Sequence, residues 1–189
     1  MDMIEIRQLD SRQLSAVYQD HMIHDFHAAE LKPLRMMLDA IGRGEYICLG
    51  CFMQETLCGY AMLVQVGADL LLDYFAVIGK YRDSGIGSRF LGMLRGQFAD
   101  ADSLLIESEN PDFAADADAL QERQRRMRFY LHAGCLDTGV TACVFGVEYR
   151  VLELPLSGAH SQDAIRAVYM RLYKSFLSTP RYQRNITVR

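Results

Sequence analysis

Apolar positions along the chain switch repeatedly between a period of two and a period near 3.6. Ile4 and Ile6 alternate with charged neighbours and predict a short first strand. From Ser11 to about His27 the spacing is helical, with Leu14, Val17, Tyr18, Met22 and Phe26 on one face and Ser11 as the expected cap. Pro33 fits the first turn of a second helix, Leu34 to Ile41, which Gly42-Arg43-Gly44 closes. Tyr46 to Met53 and Thr56 to Val66 read as strands joined by a tight turn at Gln54-Glu55. Leu70 to Ile78 is the most continuous apolar run. Such a strand needs cover on both faces, so it is expected at the centre of a sheet.

The second half repeats these signals. A glycine-rich turn leads into a helix ending near Phe98, followed by a Leu- and Ile-rich strand, Ser103 to Glu109. Pro111 to Ala119 is acidic and alanine-rich, a loop or the start of a helix, and Gln121 to Ala133 is helical. Val140 to Val144 and Glu148 to Leu154 are strands, with Gly146 near their turn. Ser161 caps a last amphipathic helix whose stripe is Ile165, Val168, Tyr169, Leu172, Tyr173 and Phe176. A basic tail carries Arg181, Arg184 and Arg189. The order β-α-α-β-β-β-α-β-α-β-β-α predicts a mixed α+β domain around one central sheet.

Composition narrows the partners. At 189 residues, half of them hydrophobic, the chain is expected to form one domain with a core that needs no disulfide or metal. A net charge of −4 argues against nucleic acid as a partner. The first five residues have no basic start and no apolar block, and no run is long enough to cross a bilayer. A cytoplasmic protein with no membrane partner is the expectation. Five cysteines, an odd number in apolar stretches, suggest reduced thiols. Cys48-Leu49-Gly50-Cys51 spells C-x-x-C but has no second half to complete a metal site, so buried strand cysteines are the simpler reading and no metal is expected. His21, His24 and His27, three apart, fan across a wide arc of the first helix, half-exposed, rather than forming a ligand set.

The chemistry concentrates at Lys80-Tyr81-Arg82-Asp83-Ser84-Gly85-Ile86-Gly87-Ser88, between the buried strand and a helix. A helix start leaves backbone N–H groups unpaired and adds partial positive charge, which together suit an anion. Gly85 and Gly87 permit close approach and unusual backbone angles. Arg82 either adds charge or holds the loop. The Walker pattern is absent, and G-x-G-x-x-G fails because Phe90 stands at its sixth position. Glycines after a strand are also common as plain turn formers.

Phe75-Ala76-Val77-Ile78-Gly79-Lys80-Tyr81-Arg82-Asp83-Ser84-Gly85-Ile86-Gly87 resembles the A-V-x-P-x-[YF]-[RQ]-x-x-G-[IL]-G motif of the GNAT superfamily of acyl-CoA-dependent N-acetyltransferases. Gly79 replaces the common proline. Phe129-Tyr130-Leu131-His132-Ala133-Gly134-Cys135 resembles the family's later F-Y-x-x-x-G-F, with Cys135 for the aromatic. The element order fits from about residue 3 to 154. The resemblance implies a mostly antiparallel sheet of about seven strands flanked by helices, over residues 1–155, with 156–189 a C-terminal helix and tail on the same domain. It also implies acetyl-CoA as cosubstrate and a primary amine as acceptor. Ala76 and Val77 would pair with the pantetheine arm. N–H groups of Arg82, Asp83, Ser84, Gly85, Ile86, Gly87 and Ser88 would hold the diphosphate, and Tyr130 would protonate the departing thiolate, unless it is only a packing aromatic. The alternative is an acyl-CoA-binding regulatory module without catalysis.

The acceptor side is less defined. Asp73, a carboxylate inside an apolar strand, is either a general base or a structural group. Glu107 and Glu109 share a face at a strand end and would hold or deprotonate a cationic amine, or lie solvated. The stretch from Asn110 to Phe129 exceeds the family spacing. Its acids Asp112, Asp116 and Asp118 precede Arg123, Arg125, Arg126 and Arg128, as on a solvated helix or an acceptor loop. The final helix is expected to pack on the sheet or form a homodimer contact.

Overall fold

Asp10, not Ser11, caps the first helix. Its carboxylate accepts from the Gln13 N–H at 2.7 Å while the Gln13 side chain accepts from the Asp10 N–H at 3.0 Å, so two end groups satisfy each other. The computed structural model describes residues 3–28 and 30–189. In order, the elements are β1 (Ile4–Gln8), α1 (Ser11–Val17), a π turn (Tyr18–Met22), α2 (Ile23–Asp25), α3 (Leu34–Gly42), β2 (Tyr46–Met53), β3 (Thr56–Val66) and β4 (Asp69–Val77). They continue with α4 (Ile86–Gln97), β5 (Ser103–Glu109), α5 (Ala117–His132), β6 (Leu136–Val144), β7 (Val147–Glu153), α6 (Gln162–Phe176), α7 (Thr179–Asn185) and β8 (Ile186–Val188). The first helical pattern is thus interrupted by the π turn, and it ends at Asp25 because Phe26 is extended (φ −124°, ψ 147°). Among the described residues no helix is long and apolar enough to cross a membrane.

The strands form one mixed sheet in the order β1-β2-β3-β4-β5-β7-β6-β8. Pairings β1–β2, β2–β3, β5–β7, β6–β7 and β6–β8 are antiparallel. The chain divides into two compact units. One comprises residues through Gln65 and Leu72–Phe90; the other comprises Val66–Leu71 and Leu91–Arg189. In the first, Leu14, Met22 and Met37 are buried along with Leu49, Tyr60 and Leu63 of β2 and β3. In the second, Leu91 and Leu94 of α4, Leu104 to Ile106 of β5 and the α6 residues Ile165, Tyr169 and Leu172 are buried.

The tail departs from expectation. Pro180 opens the short helix α7, and Ile186–Val188 adds an eighth strand to β6, with Ala142 opposite Val188 and Val144 opposite Ile186. Two of its arginines hold it in place: Arg181 lies over the Phe145 ring at 5.4 Å, and Arg189 pairs with Glu148 at 2.9 Å. β6 begins at Leu136, earlier than Val140. A register shift between Asp137 and Thr141, with Gly139 at φ +75°, breaks the alternation that marks a strand. Helix α5 also starts earlier than Gln121, because the Asp116 carboxylate accepts from the Ala119 N–H at 2.8 Å.

Candidate active site

β4 ends at Val77, and the next residue is still tied to the sheet through the Ile78 N–H, which donates to the Cys58 carbonyl at 2.9 Å. A 3-10 turn, Gly79–Tyr81, reverses the chain; the Arg82 N–H closes it by donating to the Gly79 carbonyl at 3.2 Å. Asp83 (φ 60°) and Gly85 (φ 79°) then take left-handed conformations, and the Ser84 hydroxyl donates to the Tyr81 carbonyl at 2.5 Å. In α4 the Arg89 N–H donates to the Gly85 carbonyl at 3.2 Å. The N–H groups of Ile86, Gly87 and Ser88 therefore belong to the first turn, which has no acceptors within its own helix. A Cβ on Gly85 would meet no protein atom within 4 Å, so the protein's own demand there is conformational rather than steric. Gly59 is the opposite case. A Cβ there would stand 2.9 Å from the Ala76 carbonyl oxygen, so glycine alone lets β3 and the end of β4 come this close.

Arg82 holds the loop. Its Nε donates to the Val77 carbonyl at 3.0 Å, and a terminal nitrogen donates to Asp25 at 2.8 Å. Asp25, the last residue of α2, also accepts from the Tyr60 hydroxyl at 2.8 Å. Burial and the Asp25 charge push the Tyr60 phenol well above its ordinary range. Asp25 was not identified from sequence. It sits among histidines in a polar stretch, and no local signal marks a partner 57 residues away.

Asp73 is accommodated in its apolar strand by two partners. Lys32 forms an ion pair with one carboxylate oxygen, and the Tyr46 hydroxyl donates to the other at 2.5 Å. The Asp73 side chain is 8% exposed, so these partners offset a real desolvation cost. The segment around Lys32 is pinned further: its N–H donates to the Tyr74 hydroxyl at 2.8 Å, and its carbonyl accepts from the Tyr18 hydroxyl at 3.1 Å. Burial, with a smaller contribution from Asp73, pushes the Cys48 thiol up to about 12. Cys51 lies with its sulfur 3.8 Å from that of Cys58, and both are buried.

In the second unit, Tyr130 is 6% exposed near the end of α5, its ring 5.2 Å from that of Phe129. Burial raises its phenol to about 12, against a lowering by the Arg126 charge. The Cys135 N–H donates to the Tyr130 carbonyl at 3.0 Å, and Arg95 donates to the Gly134 carbonyl at 3.1 Å. Glu107 and Glu109, alike in sequence, have different surroundings. Glu109 pairs with Arg123 at 2.7 Å and Arg126 at 3.0 Å. One oxygen of Glu107 accepts from the hydroxyls of Tyr169 and Tyr173, the latter at 2.5 Å. His21 stacks at 6.4 Å on Tyr60, while His24 and His27 are exposed. Among the described residues no cluster of His, Cys, Asp and Glu has the makings of a metal site. Asp73, Ala76, Val77 and Arg82 to Ser88 thus share the first unit, and Glu107 and Tyr130 the second.

This fold recurs among solved structures. A putative acetyltransferase of the GNAT family from Bacteroides thetaiotaomicron aligns with a TM-score of 0.70 at 15% identity, over 89% of this chain and 96% of its own. The ribosomal-protein-S18-alanine N-acetyltransferase from Escherichia coli gives 0.60 at 19% identity, over 84% and 97%. A putative acetyltransferase from Salmonella typhimurium, solved with its cofactor acetyl-CoA, gives 0.58 at 15% identity, over 84% and 97%. Scans against family models and curated proteins found no match. The chain has the fold of the GNAT acetyltransferases.

Proposed function

We propose that the protein is an N-acetyltransferase that moves an acetyl group from acetyl-CoA to a primary amine by direct attack. The observation that carries this reading is the turn from Arg82 to Ser88 at the mouth of α4, directly after β4, in a fold whose Salmonella neighbour was solved with acetyl-CoA. The Arg82 N–H is committed to the Gly79 carbonyl. Arg82 therefore holds the loop through its side chain, and the N–H groups from Asp83 to Ser88 grip the diphosphate. The backbone of Ala76 and Val77 aligns the pantetheine arm as an added strand would.

The transfer needs few groups. The amine nitrogen bonds to the acetyl carbon and the carbon–sulfur bond breaks. The departing sulfur takes the phenol proton of Tyr130, and the proton shed by nitrogen passes to the Glu107 carboxylate. With a phenol near 12, Tyr130 is protonated and able to donate at neutral pH. Asp73 has the supporting role of holding Lys32 and the segment between α2 and α3. Burial raises the thiols of Cys48, Cys51 and Cys135 to about 12, which leaves little thiolate and favours direct transfer over an acyl-cysteine route.

The test combines thermal shift with thiol release. Acetyl-CoA is expected to stabilise the protein more than ATP or NAD. Thiol release from acetyl-CoA is expected to depend on at least one member of a panel of diamines, peptides and aminoglycosides. Stronger stabilisation by ATP or NAD defeats the reading. Stabilisation by acetyl-CoA with no turnover against any amine leaves a binding module in its place.

A further inference from the structure

We infer that Tyr169 and Tyr173 of α6 are positioning residues for the acceptor amine, acting through Glu107; this rests on the acceptor-side role proposed above for that carboxylate. Both hydroxyls donate to the same oxygen, Oε1 of Glu107. The residues stand four apart, one turn of α6, with ring centroids 5.0 Å from each other. Tyr169 is 0% exposed and Tyr173 5%. Packing at these positions asks only for an aromatic ring, which phenylalanine supplies. A buried hydroxyl adds a group that must find an acceptor, so two of them converging on one carboxylate oxygen have a purpose beyond filling space.

Glu109, two residues along the same strand face, is the useful contrast. Its partners are two guanidinium groups, which cancel its charge. A phenol donor orients a carboxylate through a directional hydrogen bond. Burial and the Glu107 charge hold the Tyr169 phenol well above its ordinary range, so it stays a donor through the working pH range. Two donors on one oxygen restrict rotation of the carboxylate and fix the direction it presents to an amine. Helix α6 lies beyond the part of the chain that carries the family motifs.

The experiment is a double-mutant cycle. Tyr169→Phe, Tyr173→Phe and the double variant are made in the native background and in Glu107→Gln. Each is assayed by thiol release from acetyl-CoA with 1,4-diaminobutane, a lysine tetrapeptide, an alanine-initiated hexapeptide and kanamycin as probes. In the native background each lost hydroxyl is expected to lower kcat/KM for the best probe about tenfold, the usual scale for a hydrogen bond to a charged group. The KM for acetyl-CoA stays within about twofold. In the Glu107→Gln background the same changes alter kcat/KM by less than about twofold, because the group they act through is gone. Equal losses in both backgrounds overturn the inference, as does no loss in the native one. If Glu107→Gln alone leaves the acceptor kinetics unchanged, the role of Glu107 fails, and the inference with it. No thiol release with any probe defeats the transferase reading beneath both. Should Tyr169→Phe fail to fold, Tyr173→Phe decides the matter by the same comparison.

Discussion

Replacing Gly59 with alanine is the sharpest structural perturbation available near the end of β4. The new Cβ would lie 2.9 Å from the Ala76 carbonyl oxygen, and 3.6 Å from both Val77 Cα and a Phe90 ring carbon. An ordinary carbon–oxygen contact needs about 0.5 Å more, and the close neighbour is backbone, which has no rotamer to change. Strand β4 itself must shift, at a cost of about 1–3 kcal/mol. Restricting the unfolded chain returns about 0.4–1 kcal/mol. The net loss of about 1–2 kcal/mol corresponds to about 2–8 °C in melting temperature for a chain of this size. Gly79→Ala is the control, since a Cβ there meets nothing within 4 Å. It should leave melting unchanged or raise it slightly. Melting followed by circular dichroism, with acetyl-CoA affinity by calorimetry, tests both. Gly59→Ala should also weaken acetyl-CoA binding if, as proposed, the displaced carbonyl belongs to the strand that aligns pantetheine. Melting of Gly59→Ala within 1 °C of Gly79→Ala would refute the packing argument.

Three further outcomes are expected. Gly85→Ala should cost about 1–2 kcal/mol through its left-handed backbone alone, with φ at +79° and no clash, while Gly85→Glu should abolish acetyl-CoA binding in a folded protein; undiminished affinity would remove the loop from the site. Asp25→Asn should raise the KM for acetyl-CoA several-fold with little change in kcat, because it loosens Arg82 yet keeps a partner for Tyr60; an unchanged KM would show the tether to be idle. The folded-state phenol of Tyr130 is raised to about 12. Its contribution to stability is therefore fully present below the ordinary value near 10 and is lost as pH rises toward 12. Native protein should lose stability relative to Tyr130→Phe between pH 8 and pH 11 in urea melts, and a constant difference would contradict that.

Local order was readable from the chain because its causes are local. The apolar run of β4, the glycine at φ +79° and the opening of α4 all fall within about twenty residues, where one strand period meets one helical period. The same holds for the stripe and Ser161 cap of α6. Strand β8, three residues long among arginines, is too short to show a period and forms because β6 offers it an edge. The choice of partners also belonged to the folded chain. Glu107 and Glu109 are indistinguishable by spacing, yet one meets phenols 62 and 66 residues away and the other meets arginines of α5. Likewise Arg82 holds its loop through Asp25, 57 residues earlier. Periodicity reports which face a side chain takes, whereas the group it meets there depends on which distant element packs against that face.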